Sequence, residues 1–253
     1  DPMVLAVEAM LRAEDGDLLE ALVLLEQAAA QRLQDSTPLM WLGLNLYVAG
    51  YVAEATPVLE RAVEMDPLVG INHGYLSMVY LAVGRGEDAL RAALRARELG
   101  WPPATWVYAG HLAGGGERER AAELLGAMLA DDQPYSAEIA AFIAALRDPV
   151  VARSLPADNS GRPPEELLAL GRSGDYLDML SQRAASGRLD NGIGWFRSFW
   201  LPAFRPARED PRFFAAASDV GLVELWETRG YPDGCTRVSD DAGDRLDCRG
   251  GNE

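Results

Sequence analysis

Glycine and small apolar residues recur along the first half of the chain with a fixed period. Gly16, Gly50 and Gly84 are 34 residues apart, and a fourth copy follows 32 residues later with Gly116. Three more columns share this register: Ala21, Ala55 and Ala89; Leu25, Leu59 and Ala93; Ala28, Ala62 and Ala96. Each copy reads as an apolar helical segment, a glycine turn and a second helix with apolar residues three and four apart. The predicted unit is a helical hairpin, and the predicted fold class is all-α with no sheet.

The repeat length, the Leu42-Gly43 pair and the Asp66-Pro67 pair that closes the second copy resemble the tetratricopeptide repeat, or TPR. The resemblance covers about residues 2–133 and implies a right-handed solenoid of helical hairpins. The first copy departs from the pattern, because Glu8 and Arg12 stand where the second copy has leucines. This difference is typical of a capping repeat at the end of an array.

Helical spacing continues after the repeats, although the register does not. Ile139, Phe142 and Leu146 form one stripe of a further helix, which ends at Asp148-Pro149. Proline, glycine, serine and asparagine then cluster as in a linker. The predicted organisation is four hairpins (1–133), an additional solenoid helix (134–152), a linker (153–164), a C-terminal helical region (165–234) and an acidic tail (235–253).

The C-terminal region is dense in aromatic residues and resembles a known bacterial segment. The resemblance lies in the motifs Trp200-Leu-Pro-Ala-Phe204, Arg208-Glu-Asp-Pro-Arg-Phe213 and Tyr231-Pro-Asp-Gly-Cys235. Similar tails follow TPR arrays in membrane-spanning winged-helix regulators of the CadC type and in some adenylate cyclases. In those proteins the array lies in the periplasm, beyond one membrane helix. The resemblance, over roughly residues 164–248, implies a sensory or interaction domain in that compartment.

Charge and length exclude several classes of function. The chain has 39 acidic and 23 basic residues, a net charge of −16, which disfavours direct binding to nucleic acid or to anionic membranes. The longest nearly apolar stretch, Leu39 to Ala53, is shorter than the roughly 18 residues that cross a bilayer. The chain begins with Asp1-Pro2, so we expect a processed form or an excised fragment.

Cys235 and Cys248 are the only cysteines, and three states are open to them. A disulfide would close the tail and would persist only outside the reducing cytosol. Two unrelated free thiols are the second possibility. A zinc site is the third, although it needs four ligands and neither histidine is near in sequence.

No group of residues in the sequence assembles a catalytic site or a cofactor site. His73 and His111 stand apart from any candidate nucleophile or metal-binding pair. The run Gly114 to Gly116 is followed by Glu117, whereas a phosphate-binding loop needs lysine and then serine or threonine. We therefore expect no enzyme activity, no metal and no cofactor.

The concave side of the array is the predicted binding groove. In TPR arrays it is lined by fixed positions of the first helix of each hairpin, and here most of these are apolar and rich in methionine. The principal groove residues are Met10, Met40, Leu44, Tyr47, Met78, Leu81 and Trp106. Because apolar surface of this extent needs a cover, we expect an apolar helix there, from a partner protein or from the chain's own C-terminal region. The carboxylate clamp of chaperone-binding TPR domains is excluded, because its lysine and asparagine positions are apolar here.

The sequence is compatible with three functions. The first is a periplasmic protein-interaction or sensory domain of a membrane-spanning signalling or transcription regulator. The second is a free-standing soluble TPR adaptor, which would be cytoplasmic. The third is a small-ligand receptor whose pocket would be formed by aromatic residues of the C-terminal region: Trp195, Phe196, Phe199 and Trp200.

Overall fold

The computed structural model describes residues 1–129, 136–156, 165–185, 192–241 and 243–248. The described part is mainly helical, at 74% helix, and its consecutive helices pair in antiparallel fashion. The pairing is consistent with a helical-hairpin repeat.

The first half of the chain consists of four helical hairpins. Their helices are α1 Pro2–Glu14 and α2 Leu18–Ala29; α3 Thr37–Val48 and α4 Val52–Met65; α5 Gly70–Ala82 and α6 Gly86–Glu98; α7 Pro103–Gly114 and α8 Arg118–Leu129. A glycine of positive φ stands in each turn: Gly16 at +84°, Gly50 at +91°, Gly84 at +78° and Gly116 at +95°. Only glycine adopts this conformation without steric cost, so the glycine column of the sequence marks four equivalent turns.

Small residues allow the two helices of a hairpin to approach closely. Ala21, Ala55 and Ala89 are all fully buried, as the alanine columns predict. At Gly43 a Cβ atom would stand 2.4 Å from the side chain of Leu59 on the neighbouring helix. Any larger side chain at these positions would force the helices apart.

The rest of the described chain is built from shorter helices. These are α9 Ser136–Arg147, α10 Pro149–Ser154, α11 Glu165–Ala169, α12 Ser173–Ala185, the 3₁₀ helices Gly192–Trp200 and Pro202–Phe204, α13 Arg205–Arg208, α14 Pro211–Asp219 and α15 Leu222–Arg229. Most of the predicted linker, residues 157–164, lies outside the described residues. Phenylalanine and tryptophan rings from the region after residue 192 form one buried aromatic cluster.

The tail contains a β-hairpin, so the prediction of no sheet is wrong there. Strand β1, Thr236–Asp240, pairs with β2, Gly243–Asp247, in an antiparallel register. Leu246 is fully buried, and α14 packs against β2. Each strand has only five residues, too few for the alternation of polar and apolar positions to stand out in the sequence.

Candidate functional site

Most of the predicted groove residues lie in the interior of the described structure. They belong to α1, α3, α5 and α7, the first helices of the four hairpins. Met40, Tyr47, Met78, Leu81 and Trp106 are buried. Met10 and Leu44 are half-buried, and the Met10 sulfur lies 3.6 Å from the side-chain amide of Asn45. These positions therefore do not form an open apolar surface in this structure.

The C-terminal region packs against the first helices of three hairpins. The 3₁₀ helix Gly192–Trp200 contacts α1 and α3. Helix α11 and the second 3₁₀ helix contact α7, where Phe204 lies against Gly114 so closely that a Cβ atom there would be 2.5 Å from its ring. The chain thus supplies its own cover for a large part of this side of the array.

Two tryptophans attach the C-terminal region to the end of α3. The indole Nε1 of Trp200 donates to the Val48 carbonyl at 2.7 Å, and that of Trp226 donates to the Ala49 carbonyl at 2.8 Å. Val48 is the last residue of α3 and Ala49 is its C-cap, so neither carbonyl has a partner within the helix. A tryptophan that is buried needs a hydrogen-bond acceptor, so each group satisfies the other.

The turn between α3 and α4 makes further contacts with the segment that follows α15. Asp233 accepts a hydrogen bond from the backbone N–H of Ala53 at 2.7 Å, and the Tyr51 hydroxyl donates to the Gly230 carbonyl at 2.8 Å. Burial raises the pKa of Tyr51 to about 12, although the nearby Arg229 guanidinium opposes the shift. We call these contacts, together with those of Trp200 and Trp226, the clasp.

Ion pairs extend the clasp to two of the hairpins. Arg229 pairs with Glu26 on α2 at 2.7 Å and with Glu54 on α4 at 2.6 Å. Both glutamates are well exposed, so solvent screens each pair and its contribution to stability is small. One guanidinium thus joins α15 to two helices of the array.

Replacement of Gly50 by alanine tests the clasp against a matched control at Gly84. Both residues have positive φ, which costs alanine about 1–2 kcal/mol. At Gly50 a Cβ atom would also stand 2.6 Å from both Trp200 and Pro232, whereas at Gly84 it would meet nothing within 4 Å. We expect Gly50→Ala to lower the free energy of unfolding by about 1–3 kcal/mol more than Gly84→Ala. Urea denaturation measures both variants, and equal losses would show that the clasp is not formed in solution.

Three of the aromatic residues predicted to line a ligand pocket, Phe196, Phe199 and Trp200, pack into the buried aromatic cluster. Phe199 lies 4.6 Å from Phe213 and 6.1 Å from Phe196 between ring centroids, and Trp200 lies 6.2 Å from Phe213. These are the tilted and edge-on arrangements of a close-packed core. Trp195 is half-buried, with the Arg183 guanidinium 4.7 Å from its ring centroid.

A buried arginine within this cluster was not identified from the sequence. The guanidinium of Arg208 donates to the Phe199 carbonyl and lies 5.3 Å from the Trp200 ring centroid. Burial lowers the pKa of Arg208 to about 10, although nearby Glu209 opposes the shift. Nothing in the sequence distinguished Arg208 from the exposed arginines around it, because its burial depends on contacts with the rest of the cluster.

The two histidines lie on different helices, His73 on α5 and His111 on α7. The Nε2 atom of His73 is 2.9 Å from the Pro67 carbonyl oxygen, and burial lowers the pKa of His111. Within the described residues, no group of three or more histidine, cysteine, aspartate or glutamate side chains is arranged to hold a metal ion.

Cys235 and Cys248 form a disulfide at the open end of the β-hairpin. They flank the Thr236 and Asp247 pair, so the bond continues the strand register by one position. Both cysteines are buried. The bond is consistent with an oxidising compartment.

Removal of this disulfide has a predictable cost. The bond joins residues 13 apart, and closing a loop of that size in the unfolded chain is worth about 3 kcal/mol in the chain-entropy account. We expect the free energy of unfolding of the double variant Cys235→Ala/Cys248→Ala, measured by urea denaturation, to be lower by about that amount. Reduced wild-type protein is the control and should show a similar loss. An unchanged midpoint in both would mean that the bond does not constrain the unfolded chain.

Comparison with known proteins does not assign the chain to a family. No protein-family model matches the sequence, and no curated protein matches it significantly. In the part of the chain that the structure describes, no helix has both the length and the apolar character needed to cross a bilayer.

Proposed function

We propose that this chain is a non-catalytic protein-interaction or sensory domain built on a TPR-type right-handed solenoid. The observation that carries the proposal is the fourfold repetition of helix, positive-φ glycine and helix, at the spacing that resembles the TPR. Solenoids of this kind present extended surfaces to other proteins, since each repeat contacts only its neighbours.

The proposal places the domain in the periplasm, as part of a membrane-spanning regulator of the CadC type. Two observations support this placement. The C-terminal motifs resemble the tails of such regulators, and the disulfide between Cys235 and Cys248 suits an oxidising compartment. Alkylation of thiols in intact native cells, followed by mass measurement, tests the placement. Two alkylated cysteines in unreduced samples would overturn it.

In this proposal the C-terminal region of the same chain occupies the concave side of the array. The burial of Tyr47, Met78 and Trp106 supports this role, as do the hydrogen bonds of the clasp. Because the concave side is then covered, partner proteins bind to the outer surfaces of the domain. The packing of Phe196 against Phe199, and of Trp200 against Phe213, favours this role over a ligand pocket among the same rings.

Photo-crosslinking in the native host tests the interaction function. The photoreactive amino acid p-benzoylphenylalanine replaces one exposed apolar residue at a time, at Val7, Leu19, Leu68 or Val150. We expect a discrete protein adduct from at least one position, and we expect an excess of purified domain without the label to suppress it. If none of the four positions gives a suppressible adduct, the interaction function is wrong.

A further inference from the structure

A cleft lies between α2, α3 and α4, where the first hairpin meets the second. Its volume is about 390 Å³, which is within the range of small-molecule sites. Leu39 and Leu42 of α3 line it and are buried, so they form its floor. The walls are formed by exposed and half-buried residues of the other two helices together with the buried Ala29: Glu26, Ala29 and Ala30 on α2, and Pro57, Val58 and Arg61 on α4. Most of these residues are apolar, so the cleft suits an apolar group.

The cleft is open because short side chains form its walls. In the next repeat, 34 positions later, Val63 stands in the place of Ala29, and Arg91 in the place of Pro57. The Arg91 guanidinium pairs with Asp88 on the same helix. The cleft therefore follows from the particular residues at this junction and not from the repeat geometry alone.

Pro57 is an unfavourable residue for its position, because it lies inside α4. Proline in a helix interior removes one backbone hydrogen bond and crowds the carbonyl one turn before it. Here its exposed ring forms part of the cleft wall. Departures from local preference of this kind are expected at functional sites, so Pro57 is a second reason to examine this cleft.

One charge at the cleft is unmatched. The Glu26 carboxylate pairs with the Arg229 guanidinium at 2.7 Å. Arg61 is exposed and has no ion pair or hydrogen bond from its side chain within the described residues. The equivalent arginine of the next repeat, Arg95, pairs with Glu98 at 2.9 Å. A guanidinium without a partner is well suited to a carboxylate, which it can bind through two parallel hydrogen bonds.

We propose that this cleft binds a small apolar carboxylate. The aliphatic or aromatic part of the ligand lies on Leu39, Leu42 and Val58, and its carboxylate pairs with Arg61. The net charge of −16 weakens the binding of any anion, so we expect a modest affinity, with a Kd of about 1 mM. The site goes beyond the interaction function and does not depend on it, because a small molecule can occupy the cleft whether or not a partner protein binds.

Two probes of nearly the same shape test the proposal. Phenylpropionate carries the carboxylate, and phenylpropionamide replaces it with a neutral amide. Two-dimensional NMR of isotope-labelled protein gives the Kd of each probe and locates it through the backbone N–H signals. We expect phenylpropionate to shift the signals of Ala29, Ala30 and Val58, and phenylpropionamide to bind there about threefold to tenfold more weakly, as for loss of one charge-assisted contact.

Arg61→Gln tests the role of the guanidinium. Because Arg61 is exposed, this variant keeps its fold, which circular dichroism checks. Phenylpropionate should bind it only as tightly as phenylpropionamide does, while the binding of phenylpropionamide should not change. Arg32→Gln is the matched control, since Arg32 is also exposed and unpaired within the described residues but does not line the cleft. It should bind phenylpropionate as the wild type does.

Ala29→Val tests the apolar part of the cleft. It introduces the residue of the next repeat and narrows the cleft, so both probes should bind it more weakly. No binding of phenylpropionate to the wild type, equal binding of the two probes, or unchanged binding of phenylpropionate to Arg61→Gln overturns the proposal. A peptide that ends in phenylalanine and binds at these residues more than about tenfold tighter than phenylpropionate would also overturn it, and would assign the cleft to a chain terminus of a partner protein.

Failure of this site and failure of the interaction function give different results. The four photo-crosslinking positions, Val7, Leu19, Leu68 and Val150, do not line the cleft. Absence of probe binding would therefore remove the carboxylate site and leave any suppressible adduct as evidence of a partner. Absence of adducts would remove the interaction function and leave the probe titrations unaffected.

Discussion

Replacing Trp226 with alanine is expected to lower the free energy of unfolding by about 3–5 kcal/mol, the range for removal of a large buried aromatic side chain. Trp226 is fully buried, and its ring lies within 6.4 Å of four others, measured between centroids. Its Nε1 also donates to the Ala49 carbonyl. The substitution leaves both a cavity and a buried carbonyl without that partner.

Two controls separate these effects. Trp226→Phe keeps an aromatic ring and removes the indole donor, so it should cost less than the alanine variant and report on the Ala49 hydrogen bond. Leu68→Ala, at an exposed position, should change stability by less than about 0.5 kcal/mol. The free energy of unfolding of all three variants is measured by urea denaturation, with far-ultraviolet circular dichroism as the signal. A loss below about 1 kcal/mol for Trp226→Ala would contradict the packing of α15 against the α3–α4 turn.

The hairpin array could be predicted because the residues that define each hairpin are close together in sequence and recur in every repeat. Each glycine turn and alanine contact lies within one repeat, and the columns of Gly50 and Ala55 recur at a constant interval. The structure places positive φ at each of the four turn glycines and buries the alanines. Short-range geometry therefore sets this part of the fold.

The clasp could not be predicted because its partners are far apart in the chain. Trp200 and Val48 are separated by 152 residues, and Trp226 and Ala49 by 177. No periodicity relates such positions. An apolar groove residue such as Tyr47 also has the same sequence signature whether a partner covers it or the chain itself does. The residue types indicated that a cover was needed, and long-range packing decided what supplies it.

The β-hairpin was missed for a different reason. Its strands are short, and charged residues such as Asp240 and Arg245 occupy positions on both sides of the turn. Its stability depends on the disulfide and on burial of Leu246, which are tertiary features. The two cysteines allowed a closed loop as one of three states, and their spacing did not reveal the strand pairing.

Replacing Met78 with glutamate is expected to lower the free energy of unfolding by about 4 kcal/mol at neutral pH. Met78 is only 2% exposed on α5, so the new carboxylate would be buried. Burial raises a glutamate pKa by up to about 3–5 units, and each unit corresponds to 1.36 kcal/mol. The native state would bind the proton more tightly than the unfolded state, so the loss should be largest above the native pKa. It should shrink as the pH falls toward the ordinary glutamate value of about 4.3.

Met78→Leu is the matched control, and this volume-conserving change should cost less than about 1.5 kcal/mol at any pH. Urea denaturation of both variants at neutral and mildly acidic pH separates charge burial from altered packing, because only the glutamate variant should recover at low pH. A Met78→Glu protein as stable as the wild type would mean that this side of the array opens to water in solution. The concave surface would then be free to bind a partner, and weakened partner binding by the same variant would identify it as the site.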